Sequence, residues 1–249
     1  IVRDDMLYSG TKQRAVYEYM KRVLSRPENK SIKRLLYSGS FSGYGPVAAS
    51  LGAHLHGLKC QLVLDVTPVG GGRPVTKERA EKYDTVKKCR ELGSNIEFVE
   101  NWGELNKKAA EYDEDKSTLW LPLGLDDDDF IEILGEQIED AIPIKIVDNP
   151  PKNMWVVGGV GALAIALSNA FPKTNIKVVV ASKSERRKEK ISDKLKAYDM
   201  ISLYDHAPRG KRIPYDTVIG YDSLSWDAAV EWGENGDYVW NTAGARFSS

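Results

Sequence analysis

No stretch of this 249-residue sequence reaches the roughly 18 consecutive apolar residues that a membrane-crossing helix requires. The N-terminus also lacks the basic and then hydrophobic layout of a secretory signal, so a soluble, cytoplasmic protein is the expectation. Net charge is nearly absent: 35 Lys and Arg stand against 36 Asp and Glu, leaving −1 and no global attraction to nucleic acid or anionic membrane. Cysteine is scarce. The two present, Cys60 and Cys89, fall in segments that read as a buried strand and an amphipathic helix, which suits reduced core thiols rather than a disulfide or a metal site. The chain opens on the strand-like Ile1-Val2 without a starting Met, so residues upstream are expected.

What is present suffices for a core. Apolar residues make up 42% of the chain, enough for one large α/β domain or two lobes without covalent staples. Val16, Tyr19, Met20 and Val23 recur at three- and four-residue steps and predict a helix over 11–24 with Lys12 in its first turn. Residues 34–38 read as a short buried strand, 46–56 as an Ala-rich helix stopped by Gly57, and 60–64 as a strand. A charged helix over 78–92 and a strand over 96–99 follow. After Leu119-Trp120-Leu121-Pro122 and a helix over 130–138 the design repeats. It gives a strand at 154–157, a helix at 162–170, a strand at 176–181, a helix at 185–198 and a strand at 201–204. Such alternation argues for parallel strands joined by helical crossovers.

Two charged runs invite functional readings and have plainer ones. Asp126 to Asp129 suits a solvated helix N-terminus that complements the helix dipole better than a metal site. Arg186-Arg187-Lys188 with Lys190 reads as a solvated helix face offset by Glu185, Glu189 and Asp193, with a nucleic-acid contact as the alternative.

The turns carry the chemistry. Gly158-Gly159-Val160-Gly161-Ala162 lies between a strand and an Ala/Leu helix, so backbone N–H groups and the helix dipole would converge there on an anion such as a phosphate. It is not the full Gly-x-Gly-x-x-Gly pattern, and no acidic residue ends the next strand, which argues against a dinucleotide site. A second turn, Ser38-Gly39-Ser40-Phe41-Ser42-Gly43-Tyr44-Gly45, is rich in hydroxyls and glycine and could hold a carboxylate. Serine caps and turn glycines are its structural alternative.

The run from Tyr37 to Leu64 resembles the substrate-carboxylate loop, helix and following strand of the type II pyridoxal-phosphate enzymes. Arg3-Asp4-Asp5 followed by Gly10-Thr11-Lys12 is similar to the branch containing aminocyclopropane-carboxylate deaminase and D-cysteine desulfhydrase. Leu121-Pro122-Leu123-Gly124, Gly158 to Ala162 and Val239 to Gly244 match further landmarks in the same order. The resemblance implies a two-lobed α/β fold of parallel sheets, tryptophan synthase beta-like, with a smaller lobe of about 31–125 and a larger one of 1–30 plus 126–249.

It further implies pyridoxal phosphate bound as a Schiff base on Lys12. Gly158, Gly159, Val160, Gly161 and Ala162 would hold its phosphate, Ser42 would lie beside the ring, and Thr242 would meet the ring nitrogen. As a neutral partner, Thr242 would leave that nitrogen largely unprotonated. Ser40 and Ser42 are the candidate carboxylate binders, and Tyr44 or Tyr8 a candidate acid or base. The departures restrict this: Ser42 stands where the family usually has Asn, the deaminase's Ser-Asn pair is absent, and the chain is shorter than typical members. The expected function is a lyase or deaminase acting on an amino acid or amino-acid-like amine, in a homodimer. One alternative is the same chemistry on an amino-acid group attached to a nucleotide or nucleic acid. The other is a non-catalytic binding module.

Overall fold

The computed structural model describes residues 1–68, 73–141, 149–181, 185–204, 213–215, 217–218 and 221–244, without the Arg187 side chain. That part of the basic stretch, and residues 245–249 at the end of the larger lobe, lie outside the described residues. Among the described residues the chain divides into two compact units, one of Ile1–Arg14 with 126–244, the other Ala15–Leu125.

The Ala15–Leu125 unit is built on a four-stranded sheet. Its strands are β2 (Arg34–Ser40), β3 (Lys59–Asp65), β4 (Asn95–Val99) and β5 (Thr118–Leu121), in the order β4-β3-β2-β5 and all parallel. Leu35, Leu36, Leu62, Val63 and Leu64 are fully buried, as strands covered on both faces require. The crossovers are α2 (Tyr44–Leu55), the pair α3 (Lys77–Ala80) and α4 (Asp84–Glu91), and α5 (Trp102–Asp113). The N-terminal helix α1 (Gln13–Ser25) packs here through Met20 and Val16.

Three departures from the sequence reading have physical causes. Lys12 sits in a 3-10 turn, Gly10–Lys12, ahead of α1 rather than in its first turn. The helix expected over 78–92 breaks at Tyr83, whose ring packs edge-on against Phe41 at 4.6 Å, while Thr85 Oγ1 donates to the Phe41 carbonyl at 2.9 Å. Helix α5 was not read from the sequence, although Asn101 caps it by accepting the Glu104 N–H at 3.0 Å. Glu104 reciprocates toward the Glu100 N–H at 3.0 Å, a capping-box arrangement shifted by one residue. The thiols of Cys60 and Cys89 are buried and unpaired, as expected.

The other unit carries five parallel strands. They are β1 (Val2–Arg3), β6 (Asn153–Gly158), β7 (Asn175–Val180), β8 (Ile201–Tyr204) and β9 (Tyr238–Asn241), ordered β1-β9-β6-β7-β8. Its helices are α6 (Asp128–Ala141), α7 (Ala162–Ala170), α8 (Glu185–Leu195) and α9 (Ser223–Trp232). Trp155, Val179, Leu224, Ala228 and Val239 form one core cluster, and the Trp155 indole N–H is satisfied by Asp237 at 2.8 Å. Asp127 accepts the N–H groups of Asp129 and Phe130 at 3.0 and 3.3 Å, so it caps α6 as the acidic run suggested. Helices α6 and α7 approach closely because Gly135 leaves room for the Ala166 carbonyl, which a Cβ would meet at 3.2 Å.

Gly52 on α2 offers a test of the packing. A Cβ there would lie 3.0 Å from both Met20 Cγ and the stiff Val16 Cγ2. Gly52→Val is therefore expected to destabilise by about 1–3 kcal/mol, despite removing a helix-interior glycine. Chemical denaturation should show the lowered midpoint, and an unchanged or raised one would contradict this contact.

Candidate active site

The first strand and its following turn are fixed by a buried carboxylate. Asp4 is 1% exposed and accepts two bonds from Arg14, at 3.0 Å from Nε and 2.5 Å from Nη2, and a third from the Trp240 indole at 3.1 Å. This anchors the Arg-Asp-Asp segment to the start of α1 and to β9. The chain then reaches Gly10, whose φ of +64° suits only glycine and whose missing Cβ makes room for the Thr242 carbonyl. The Thr11 N–H donates to that same carbonyl at 2.9 Å. Two constraints of backbone geometry thus bring Lys12 and Thr242 together.

Between them stands Asp222, which the sequence reading did not single out. Its carboxyl is 1% exposed; Oδ1 accepts the Thr242 hydroxyl, and Oδ2 is buried with no partner. Burial pushes the carboxyl up to about 7, opposed by the Thr242 hydrogen bond and by the Lys12 ammonium. The half-buried Lys12 is depressed below the ordinary lysine range by desolvation, with Asp222 opposing. Tyr215 completes the surroundings. Its hydroxyl is buried without a partner, its pKa is raised first by burial and then by Asp222 and Asp5, and Arg3 lies 5.2 Å over its ring. A sequence reader would take Asp222 for an ordinary helix cap before α9, yet it makes no side-chain cap bond there.

The glycine turn closes the same end of this sheet. β6 ends at Gly158, and Gly161 precedes α7 with φ +86°. No side chain caps α7, so its first N–H groups and dipole present partial positive charge. A methyl on Gly159 would collide with the Tyr221 hydroxyl, and one on Gly158 would meet Val178 Cγ1 at 2.5 Å. Tyr221 adjoins Asp222 in the chain and therefore ties the glycine turn to the Lys12–Asp222–Thr242 cluster. Val160 is half-buried in the turn and Ala162 opens the helix.

The serine turn is organised within the other unit. The β2–β3 register sets Ser40 opposite Asp65 at the C-terminal ends of the strands, where open α/β sheets bind their ligands. Ser40 Oγ donates to the Thr67 carbonyl at 2.5 Å and lies 3.3 Å from Ser42 Oγ. Thr67 in turn donates through its N–H and hydroxyl to Asp65 Oδ1, both at 3.0 Å, while Asp65 Oδ2 is buried and unpartnered. Tyr37, pushed up to about 12 by burial, packs its phenol against Gly39 and Gly45 and accepts the Gly124 N–H at 3.1 Å. Tyr44 opens α2, which has no side-chain cap, and its ring holds Lys88 Nζ at 5.3 Å. Tyr8 is 36% exposed. On α8, Lys188 pairs with Glu185 at 3.0 Å and Lys194 with Asp126, as expected of a solvated, charge-balanced face.

This is the architecture of the type II pyridoxal-phosphate fold: α/β, with two sheets of parallel strands. It is shared with an ACC deaminase homologue at 16% identity and TM-score 0.68, covering 97% of this chain and 82% of that one. Threonine deaminase isoform 2 from Solanum lycopersicum, in its processed form, matches at 16% identity and TM-score 0.63, covering 99% and 75%. Escherichia coli diaminopropionate ammonia lyase matches at 10% identity and TM-score 0.63, covering 98% and 77%. No family model and no curated protein sequence matches the chain.

The raised Asp222 carboxyl has a definite signature in the cofactor-free protein. The native state keeps this proton at pH values where the unfolded chain, with its ordinary value of 3.8, has released it. The group therefore favours the native state in acid and ceases to do so as pH rises through about 7. Between those limits the stability of the parent should fall more steeply with pH than that of Asp222→Asn, read from urea midpoints. Parallel slopes would contradict the burial described.

Proposed function

We propose that this chain carries pyridoxal phosphate on Lys12 and acts as a lyase or deaminase on an amino acid or amino-acid-like amine. The observation that carries the reading is the cluster at one end of the five-stranded sheet. It combines a half-buried lysine of depressed pKa, a hydroxyl backed by a carboxylate with one unsatisfied oxygen, and an uncapped glycine turn leading into a helix. A buried polar atom without a partner and backbone N–H groups without a cap are what a phosphorylated, nitrogen-containing ring would complete. The fold neighbours that are deaminases and an ammonia lyase support the reaction class.

Each residue then has a task. The N–H groups of Gly158 to Ala162 would hold the phosphate, and Thr242 would meet the ring nitrogen. Lys12 would carry the cofactor, and its amine could take and return the proton at the substrate α-carbon. Its depressed pKa keeps more of the lysine in the neutral form that both tasks need. The cofactor, when bound, supplies the electron sink for that carbon. The serine turn and the uncapped N-terminus of α2 suit a substrate carboxylate, through Ser42 and backbone N–H groups, because Ser40 donates its hydroxyl within the turn. By the same resemblance the working form is a homodimer. No described helix is long and apolar enough to cross a membrane.

Reconstitution with pyridoxal phosphate, borohydride reduction and peptide mass spectrometry test the attachment. One cofactor adduct on the Lys12 peptide is expected, with its loss in Lys12→Ala and release of ammonia from at least one free amino acid by the unreduced protein. Absence of an adduct, or one confined to another lysine, would overturn the assignment.

A further inference from the structure

The Thr242 hydroxyl has one proton, and its destination decides what the oxygen can offer a ring nitrogen. With the Asp222 carboxyl ionised, that proton goes to it: Thr242 Oγ1 donates to Oδ1 of a side chain that is 1% exposed. A hydroxyl committed in this way presents only lone pairs on its other side. Such an oxygen accepts a hydrogen bond from a protonated ring nitrogen and has nothing to donate to an unprotonated one. We infer that Asp222 is a positioning residue that fixes the direction of the Thr242 proton and so keeps the ring nitrogen of the bound cofactor protonated. This rests on the cofactor assignment above and reverses the expectation drawn from Thr242 alone, that a neutral hydroxyl leaves that nitrogen unprotonated.

The surroundings agree with that polarity. The groups facing Asp222 are Lys12 from the 3-10 turn, Thr242 from the end of β9, Asp5 from the N-terminal segment and Tyr215 from the segment before α9. Lys12 is the cation acting on Asp222, Asp5 adds like charge, and Arg3, paired with Asp5 at 2.6 Å and lying 5.2 Å over the Tyr215 ring, offsets part of it. A buried carboxylate in this company gains from a second positive charge, relayed through the hydroxyl as carboxylate, then O–H, then N–H⁺. Its Oδ2 is also buried without a hydrogen-bond partner, which leaves Lys12 and the relayed charge as the compensation the described structure offers it. The chemical consequence is a deeper electron sink than a neutral ring provides, which suits reactions that hold negative charge at the α-carbon.

The test uses holoprotein reconstituted with pyridoxal phosphate labelled with ¹⁵N in the ring, fixed on Lys12 by borohydride. The ¹⁵N chemical shift is then followed with pH. The parent is expected to show a protonated ring nitrogen at neutral pH. Asp222→Asn is expected to lose that signal while keeping the adduct, because a carboxamide can donate to Thr242 and turn its proton toward the ring. Asp222→Glu should restore it. An unprotonated ring in the parent, with the adduct in place on Lys12, would overturn the relay and leave the cofactor assignment standing. The same holds if Asp222→Asn and Thr242→Val both retain the protonated signal. Absence of any adduct on Lys12 would overturn both. The parent measurement decides the question even where a variant fails to fold.

Discussion

A carboxylate removed from water must find its compensation in the protein, and Asp222 is where this constraint is sharpest. Its side chain is almost wholly buried, one oxygen is held by Thr242, the other has no partner, and Lys12 supplies the nearby positive charge. Much of this unit serves to hold those three groups in place. Gly10 has the backbone freedom to bring the 3-10 turn against the Thr242 carbonyl, and Asp4 clamps the preceding segment through Arg14 and Trp240. The parallel β1–β9 pairing sets Val2 beside Trp240 and Arg3 beside Asn241. Loss of Asp4 would leave the Arg14 charge short of its partner, a mechanism of the kind that costs several kcal/mol when a buried pair is broken, while the Trp240 indole would keep Thr11 Oγ1 at 3.0 Å.

The two turns that bear the proposed chemistry solve the same problem in different ways. At the glycine turn, side chains are excluded: Val178 and Tyr221 fill the space that Cβ atoms would take, so the backbone itself is what an anion there would meet. At the serine turn, side chains are retained but tied down. Ser40 and Thr67 form a chain of donors ending on Asp65, and Tyr37 fills the volume under Gly39 and Gly45. A turn so fixed presents Ser42 and the start of α2 with little entropy left to lose on binding.

Much of this was legible in the sequence because the signals are local. The Ala/Leu helix after the second glycine turn, and the strand at 201–204, have the bounds that their patterning predicted. The parallel character followed from alternation, and the roles proposed for Lys12, the glycine turn and Thr242 come from the resemblance their ordered motifs carry. One miss was local, since the Asn101 cap of α5 stands in the sequence; others were not. The break at Tyr83 depends on Phe41, some forty residues earlier, and α9 was not read between uninformative flanks. Asp222 was invisible for the same reason: nothing in Gly-Tyr-Asp-Ser reveals that the carboxyl turns away from the helix it precedes, toward a hydroxyl twenty residues later. On the proposal made above, the role of Thr242 also turns on this residue, since what a neutral hydroxyl offers depends on what stands behind it.

The central claim is that one end of the five-stranded sheet is a preformed cradle for a phosphorylated cofactor. Crystals of the protein grown with pyridoxal phosphate address it most directly. The account predicts phosphate density against the backbone N–H groups of Gly158 to Ala162, the ring nitrogen at Thr242, and density continuous with Lys12 Nζ. A cofactor bound elsewhere, or a glycine turn left empty while Lys12 makes no bond, would contradict it.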